Sequence, residues 1–374
     1  SITPMRSGSP ERGTLIPRMT YASHLLRVHT GLYSTRNLRI TRKPWFLFPY
    51  HNPINIIVCF KSQFTTFVAK VVKSGFMSIK PNLRDFTSAQ KRRGFLQKKL
   101  YIRLDKIAKF NFPEDQAVGR NIENLIGSVQ IPLGVAGPLL AKSEKLKAKS
   151  YFIPLATTEG ALVASISRGC KAVTEAGGAT VFVEDIGATR GPVFKTKGIE
   201  HSIKVKRWIE GNLLLLSQTT KETSSHLKLL KVSVSIAGKN LFARFQYSTS
   251  EAMGMNMASF ATEEATKLIE EETKAKCISL AGNFDIDKKP AWLNFIEGRG
   301  KKVWAEVILK KQVVRTVLKT TPQNLAEVVY RKCLLGSTMS GSLGYNGHYA
   351  NIIAAIFAAT GQDLGHVVEG SLGV

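Results

Sequence analysis

The stretch KVSVSIAGKNLFARF, residues 231–245, decides the fold class of the middle of this chain. Its apolar side chains alternate with other residues on both sides of a Gly238-Lys239-Asn240 turn. This spacing is typical of two strands joined by a tight turn, so we predict a β-hairpin. The alternating residues are Val232, Val234 and Ile236 before the turn and Leu241, Ala243 and Phe245 after it.

Segments that flank the hairpin complete a small α+β unit, which we place at residues 191–290. Residues 259–274 have helical periodicity, and residues 278–281 are a short apolar run. They predict a helix and a strand that follow the hairpin.

Larger elements lie on both sides of this unit. We predict a helix over residues 157–173, capped by Thr157 or Thr158 and ended by Gly177-Gly178, and a strand with a glycine turn over residues 129–138. Further helices are predicted at residues 322–334 and 348–360, the second nearly all apolar and therefore a core helix.

The elements together predict an α+β fold. Larger α/β elements at residues 123–190 and 291–374 lie on both sides of the small unit at residues 191–290. Residues 77–122 are predicted to be a small helical region, with Arg92 and its basic neighbours on a solvated face.

The N-terminal 76 residues form a basic leader with eleven Lys and Arg and one acid. An Arg-rich, acid-poor leader is typical of a transit peptide, which should also be amphipathic. The other interpretation is that Met77 is the true start and that translated flanking sequence precedes it. We expect the leader to be disordered or non-native, and its apolar stretch at residues 45–60 is too interrupted to be a membrane anchor.

Composition bounds the class of protein. A chain of 374 residues with 44% apolar residues can form one to three globular domains. Its four cysteines, Cys59, Cys170, Cys277 and Cys333, form no CxxC pair and lack zinc spacing. We predict buried thiols, a reducing and cytoplasmic location, and no metal site.

The net charge of +26 leaves several partners open. Such a charge suits nucleic acid, an anionic membrane or a small molecule that carries phosphates. A basic nucleic-acid-binding protein is therefore the alternative function. No recognition helix, zinc spacing or aromatic RNA-binding motif supports that alternative in the sequence.

Short segments rich in small and ionisable residues carry the chemistry. They contain neither a GxGxxG motif after a strand nor a Walker-type loop, so a dinucleotide would bind to another kind of fold. The segments are ATTEG (156–160), DIGATRG (185–191), EAMGMNM (251–257), DIDKKP (285–290), GSTMSGSLGYNGHYAN (336–351) and GQD (361–363). As a colinear set over roughly 250 residues they resemble hydroxymethylglutaryl-CoA reductase.

The resemblance implies that a thioester is reduced to a primary alcohol by two hydride transfers from NADPH, with NADH as the other possibility. The substrate would be hydroxymethylglutaryl-CoA and the products mevalonate and CoA, in isoprenoid synthesis. A cation stabilises the carbonyl oxygen as it becomes negative, and the resemblance puts Lys288 in that role. It makes Glu159, expected at a helix start, the proton donor, and it puts Asp363 beside the lysine in one coupled group.

Further site residues follow from the same resemblance. It implies a cationic substrate pocket, a polar stripe for CoA phosphates and a glycine-containing turn for the nicotinamide. The substrate-binding residues are Arg190, Asp287, Lys289, Lys332 and Asn351; the CoA-binding residues are Ser165, Arg168, Lys171 and His348; the cofactor-binding residues are Glu251, Met253, Gly254, Met255, Asn256 and Met257.

Each assignment has a simpler structural alternative. A glutamate in the first turn of a helix is commonly a favourable pairing with the helix dipole. Arg168 and Lys171 could form a solvated helix face, and the methionine-rich turn could be ordinary core packing.

Several positions depart from the family pattern. Glu251 stands where an aspartate is usual, and Ala281 replaces a serine that contacts substrate. Ser224-Ser225-His226 stands in place of a Ser-Arg pair that binds the extra phosphate of NADPH, so the preference for NADPH rests on the resemblance.

The resemblance implies that residues 123–190 plus 291–374 form one large mixed α/β substrate-binding domain, into which residues 191–290 are inserted as a ferredoxin-like cofactor-binding domain. It also implies a homodimer or a dimer of dimers, with the active site formed between subunits. It implies a later histidine that protonates the departing thiolate, and neither His348 nor His366 matches that position. We expect the chain as given to be a fragment with little or no turnover in a steady-state assay with substrate and NADPH. The alternative is a non-catalytic partial product that does not fold by itself.

Overall fold

A computed structural model describes residues 46–47, 57–58, 82–144 and 147–374. The predicted basic leader lies outside the described residues, apart from two antiparallel strands, β1 (Phe46–Leu47) and β2 (Ile57–Val58). The chain divides into two compact units, with the boundary between Ser128 and Val129.

The described part of the first unit is helical. Helix α1 (Ala89–Leu100) begins where the Ser88 hydroxyl accepts a hydrogen bond from the backbone N–H of Lys91, and a short α2 (Glu114–Ala117) follows. Leu96, Leu100 and Leu104 form the centre of its apolar core.

The prediction that Arg92 lies on a solvated face of this unit is wrong. Its side chain is buried, and its guanidinium donates hydrogen bonds to the carbonyl oxygens of Leu83 (3.2 Å) and Leu125 (3.1 Å). A buried guanidinium needs such acceptors, and here they come from parts of the backbone that sequence spacing does not reveal.

The second unit contains a curled eight-stranded sheet in a mixed α/β arrangement. Its strands are in the order β4-β3-β5-β8-β6-β9, with β10 also paired to β5 and β7 to β8. The strands are β3 (Leu133–Lys142), β4 (Lys149–Ala156), β5 (Ala179–Arg190), β6 (Val193–Lys195), β7 (Lys228–Ala237), β8 (Asn240–Ser248), β9 (Lys276–Ser279) and β10 (Gly300–Glu306).

The predicted hairpin is confirmed, whereas the predicted glycine turn near residue 137 is wrong. Strands β7 and β8 pair antiparallel around Gly238-Lys239, with Val232 opposite Phe245. Strand β3 instead continues through its two glycines, because it pairs with β4 on both sides of a bulge between Ala136 and Leu139.

Helices cover the sheet and connect its strands. They are α3 (Leu162–Glu175), α4 (Ile199–Gly211), α5 (Leu213–Glu222), α6 (Met255–Thr273), α7 (Trp292–Glu297), α8 (Lys311–Thr316), α9 (Pro322–Val328), α10 (Ser337–Ser340), α11 (Tyr349–Thr360) and α12 (Val367–Gly370). Helix α9 continues into a π-helix at Val329–Gly336. The two helices together cover the predicted helix at 322–334.

Two predicted helices differ from those observed. Helix α3 begins at Leu162, after a left-handed Ala161, and the Thr157 hydroxyl accepts a hydrogen bond from the Glu159 N–H in the preceding turn instead of capping the helix. Helix α11 has the predicted bounds within one residue but is half-buried. Only one of its faces packs on β4, and Ala355 is its buried residue.

Strand β5 connects the two parts of the sheet and ends at the candidate site. Residues 180–187 pair with β10, and residues 188–190 pair with β8. Gly187 marks the change of partner: a Cβ atom there would lie 2.2 Å from the carbonyl oxygen of Tyr247. Glycine therefore permits the close crossing that delivers Thr189 and Arg190 to the end of the strand.

The main core lies where α4, α5 and α6 pack on β7 and β8. Phe194, Phe245 and Tyr247 are fully buried there, and the Tyr247 hydroxyl lies 2.9 Å from the hydroxyl of Thr262 on α6. Burial raises the pKa of Tyr247. This core fixes strand β8, which pairs with the end of β5 and is followed by the predicted cofactor turn.

Two predictions from composition concern thiols and membrane segments. Cys170, Cys277 and Cys333 are free, but only Cys170 is buried, so the prediction of uniformly buried thiols is wrong. Cys59 lies outside the described residues. Among the described helices, none has the length and apolar character needed to cross a bilayer.

We predict that Phe245→Ala destabilises the chain by about 3–5 kcal/mol, because it leaves a cavity in the main core. The measurement is urea unfolding followed by circular dichroism. Phe260→Ala is the matched control, since that ring is 65% exposed and its removal should change stability by less than about 0.5 kcal/mol. Equal losses in the two variants would contradict the assignment of the core.

Candidate active site

Lys288 and Asp363 meet although they lie on different segments. The ammonium nitrogen of Lys288 is 2.6 Å from Asp363 Oδ2, and each side chain is about two-fifths exposed. The hydrogen bond from Lys288 and the backbone N–H of Gly365 hold the pKa of Asp363 below its usual range. The same bond to Asp363 raises the pKa of Lys288, so the lysine is charged at neutral pH.

Glu159 does not join this pair. Its carboxylate is exposed and accepts hydrogen bonds from the amide nitrogen of Asn351, 3.1 Å from each oxygen. Within residues 82–144 and 147–374, no hydrogen bond or ion pair links Glu159 to Lys288. The structure therefore brings together two members of the predicted group of three, and Asn351 of α11 holds the third.

Arg190 is paired with a residue that the sequence analysis did not select. Its guanidinium lies 3.3 Å from Asp285 Oδ2 and donates a 2.9 Å hydrogen bond to the Ser259 hydroxyl. Asp285 is buried, and burial raises its pKa despite the opposing charge of Arg190. Arg190 thus lies at the end of β5 with its orientation set by α6 and by the loop that precedes Lys288.

Asp287 is held by Arg299, a second residue that the sequence analysis missed. The Arg299 guanidinium is 3.0 Å from Asp287 Oδ1 and donates a 3.1 Å hydrogen bond to Glu369 Oε1. Its Nε donates to the Thr189 hydroxyl at 3.0 Å. The buried guanidinium therefore contacts three separate segments around the Lys288–Asp363 pair.

His366 lies between Glu369 and Asp363. Its Nδ1 is 2.6 Å from Glu369 Oε1, and its Nε2 is 3.7 Å from Asp363 Oδ2. Burial acts to raise the pKa of Glu369, but the hydrogen bonds from His366 and from backbone N–H groups outweigh it and leave that pKa lowered.

Asp287, His366 and Glu369 are close enough to share a metal ion, since their ligand atoms lie within 4.8 Å of one another. Both carboxylates, however, already pair with the guanidinium of Arg299. The fixed positive charge of Arg299 occupies the position in which a cation would neutralise these two acids.

The predicted cofactor turn leads into helix α6. Gly254 has a positive φ of 73°, and a Cβ atom there would lie 2.3 Å from the Thr249 side chain, so packing alone requires glycine. Met255 and Met257 pack against the main core, as the simpler interpretation holds, whereas Met253 and Asn256 are exposed. Glu251 is also exposed, at the entrance to the turn.

The predicted CoA residues divide into two groups. Arg168 and Lys171 line an open groove of about 650 Å³ together with Lys319, which the sequence analysis missed. Ser165 is exposed on the same helix but does not line this groove; Ser167 does. The complete lining is Gly137, Pro138, Ser167, Arg168, Lys171, Thr174, Glu175, Thr316, Val317 and Lys319.

The remaining predicted residues, Lys289, Lys332 and His348, lie on three exposed segments. Lys332, in the π-helix, has its ammonium nitrogen 3.2 Å from His348 Nε2, so one predicted substrate residue contacts one predicted CoA residue. Lys289 is exposed beside Lys288, and its backbone carbonyl accepts a hydrogen bond from Asn294.

The residues that sequence reasoning missed share one property. Asp285, Arg299, Lys319 and Glu369 are functional candidates because of the groups they contact, which come from distant parts of the chain. The sequence offers one weak signal, the isolated arginine between Gly298 and Gly300. Glycines on both sides permit the tight backbone path that turns this side chain inward.

Comparison with known proteins identifies a family match over most of the chain. A profile of the family described as hydroxymethylglutaryl-coenzyme A reductase matches residues 88–374. The 3-hydroxy-3-methylglutaryl-coenzyme A reductase of Methanocaldococcus jannaschii is 49% identical over 289 residues, a match that covers 76% of this chain and 71% of that protein. The reductase of Methanothermobacter thermautotrophicus is 48% identical over 284 residues, with the same coverage.

Solved structures give a similar fold at lower sequence identity. The class II 3-hydroxy-3-methylglutaryl-CoA reductase of Streptococcus pneumoniae, bound to NADPH in open conformations, aligns with a TM-score of 0.52. The alignment covers 78% of this chain and 77% of that chain at 18% identity. At that identity the likeness establishes the fold.

We predict that Asp363→Asn lowers the pKa of Lys288 toward its ordinary value, because the variant removes the negative partner 2.6 Å away. In the unaltered chain, the ion pair's contribution to the stability of the folded state should be lost when pH rises through the raised pKa of Lys288. It should also be lost when pH falls through the lowered pKa of Asp363. The measurement is the pH dependence of Lys288 modification by an amine reagent, followed by mass spectrometry.

The control for this prediction is Asp185→Asn, which removes the partner of Lys301 from an exposed ion pair of similar length, 2.7 Å. That change should leave the modification profile of Lys288 where it was. An unaltered Lys288 profile in Asp363→Asn would contradict the pairing.

Proposed function

This chain belongs to the hydroxymethylglutaryl-CoA reductase family, and we propose that it acts in the reduction of hydroxymethylglutaryl-CoA to mevalonate and CoA, with NADPH as the reductant. The observation that carries the proposal is the Lys288–Asp363 pair, a charged ammonium held by a carboxylate from a distant segment. Such a cation suits a carbonyl oxygen that becomes negative during reduction.

The proposed chemistry assigns one role to each group of the pair and to Glu159. Bound NADPH supplies hydride to the carbonyl carbon. Lys288 stabilises the developing oxyanion, and Asp363 keeps the lysine charged and oriented. We assign the role of proton donor to Glu159, whose exposed carboxylate is oriented by the amide of Asn351.

The substrate has two anionic ends that need separate cations. We assign its free carboxylate to Arg190 and Lys289, with Asp287 as a polar partner, because these residues flank Lys288 at the end of β5 and in the adjoining loop. The CoA phosphates are assigned to Arg168, Lys171 and Lys319, since three cations line one open groove. Lys332 is assigned to the substrate and His348 to CoA, and these two side chains lie 3.2 Å apart.

The first turn of α6 suits a dinucleotide. No side chain caps this 19-residue helix, so its first backbone N–H groups are available to a phosphate or an amide oxygen. Asn256 is exposed in the same turn and can add a side-chain amide. We propose NADPH over NADH because the related S. pneumoniae structure is described as bound to NADPH.

We also propose a finer architecture for the second unit. The antiparallel order β9-β6-β8-β7, with helices between β6 and β7 and between β8 and β9, supports a ferredoxin-like cofactor domain at residues 191–290. Residues 123–190 plus 291–374 would then be the substrate domain, and residues 77–122 a separate helical region.

A homodimer or a dimer of dimers is part of the proposal. Strands β5 and β10 leave large apolar side chains uncovered on one face, where the paired Phe182 and Trp304 are about half exposed with their ring centroids 5.4 Å apart. A contiguous apolar face of this kind favours burial against a second copy. Sedimentation as a monomer at micromolar concentration would contradict the dimer.

The free cysteines support a reducing, cytoplasmic location.

The test of the proposed function is ligand binding measured by titration calorimetry. We expect the chain to bind hydroxymethylglutaryl-CoA and NADPH separately, each with a Kd of about 1 μM to 1 mM, the usual range of enzyme affinities for substrates. Lys319→Gln should weaken binding of the CoA thioester and reduce its dependence on salt, because one phosphate contact is lost.

Lys239→Gln is the matched control, since that lysine lies in the exposed turn of the β7–β8 hairpin and should not affect either ligand. If the chain binds neither hydroxymethylglutaryl-CoA nor NADPH, the proposed function is overturned. Salt-dependent binding to random duplex DNA without affinity for either ligand would favour the nucleic-acid alternative.

A further inference from the structure

We propose that Arg299 is a positioning residue that couples binding of NADPH to binding of the CoA thioester. This inference rests on the proposed function, because it assigns ligands to the segments that Arg299 contacts. It goes beyond that function in naming a residue that contacts neither ligand and a thermodynamic property of the two sites.

The Arg299 guanidinium is the meeting point of four segments. Its side chain is only 7% exposed. One terminal nitrogen is 3.0 Å from Asp287 Oδ1 and donates to the Met255 sulfur at 2.9 Å. The other donates to Glu369 at 3.1 Å, and Nε donates to the Thr189 hydroxyl at 3.0 Å.

Each of these partners lies beside a residue of the candidate active site. Thr189 precedes Arg190, and Asp287 precedes Lys288. Glu369 belongs to the short helix that follows Asp363, and its Oε1 lies 2.6 Å from Nδ1 of His366, whose Nε2 is 3.7 Å from Asp363 Oδ2. Met255 is the first residue of α6, inside the proposed nicotinamide turn. A single planar cation therefore connects the substrate residues to the cofactor turn.

The backbone of Arg299 is itself fixed from the opposite side. The fully buried Arg244 of β8 donates a 2.7 Å hydrogen bond to the Gly298 carbonyl and pairs with Glu297 at 2.6 Å. The segment that carries Arg299 is thereby tied to the main core. The guanidinium cannot follow one of its four partners without changing its distance to the other three.

This arrangement provides a physical basis for coupling. A guanidinium presents several donors in a rigid plane, whereas a lysine ammonium is a single point on a flexible stem. A thioester that binds to Asp287 changes the ion pair between Asp287 and one terminal nitrogen of Arg299. The same nitrogen donates a hydrogen bond to the Met255 sulfur. The cofactor turn then has a different equilibrium position, so the affinity for NADPH changes, and the reverse effect must be equal.

The test measures the Kd of NADPH with and without saturating hydroxymethylglutaryl-CoA, by titration calorimetry on the full chain. In the unaltered chain we expect the two values to differ by about five-fold or more, the lower end of typical coupling. Arg299→Lys retains the charge, but in this variant the ratio of the two Kd values for NADPH, with and without the thioester, should fall to about one. Each affinity measured without the other ligand should change less than the ratio does.

Arg103→Lys is the matched control, because it makes the same exchange in an exposed ion pair with Asp105 in the first unit. It should keep the coupling ratio of the unaltered chain. Glu369→Gln is a second variant in case Arg299→Lys does not fold. It preserves the shape of the side chain, removes one charged partner of Arg299, and should also lower the ratio.

The outcomes separate this inference from the proposed function. A merely structural role for Arg299 would lower the melting temperature of its variants and leave the ratio intact, and that result would overturn the inference. Binding of both ligands without coupling in the unaltered chain would overturn it too, while leaving the proposed function in place. If the chain binds neither ligand, both the inference and the proposed function are overturned.

Discussion

The ion pair between the buried Arg244 and the partly exposed Glu297 is the constraint on which the second unit depends. Arg244 is fully buried on β8, on the face of the strand opposite to the main-core residues Ala243 and Phe245, and desolvation lowers its pKa while Glu297 opposes that shift. A guanidinium without a partner at such a position would cost several kcal/mol. The core around β8 must therefore stay attached to the segment that follows α7, and this attachment orients both β10 and Arg299.

The candidate site is organised by charge pairing and not by deep burial. Lys288, Asp363 and Glu159 remain accessible to solvent, and each has its polar partner on another segment. The buried charges lie one layer further in, at Arg299, Glu369 and Asp285. Solvent screens the outer pairs, so it is the inner layer that holds the outer groups in fixed positions.

Helices and strands were predictable from the spacing of apolar residues where that spacing agrees with the tertiary environment. The β7–β8 hairpin and helix α6 follow directly from the alternation and the helical spacing of apolar residues. The predictions that failed involve competition between local and long-range preferences. Thr157 caps no helix because the chain turns at Glu159, and β3 absorbs Gly137 as a bulge because β4 offers partners on both sides.

By itself, the sequence determined the class of elements and the family, because side-chain periodicity and colinear motifs are properties of the chain read in order. It also identified Lys288 and Asp363 as candidates. The resemblance already placed these two side by side, and their charged atoms lie 2.6 Å apart in the structure. Only the tertiary structure decided that Asn351 holds Glu159 away from them, and that Arg299 connects Thr189, Met255, Asp287 and Glu369. Contacts between distant residues depend on the path of the backbone between them, and no local spacing encodes that path.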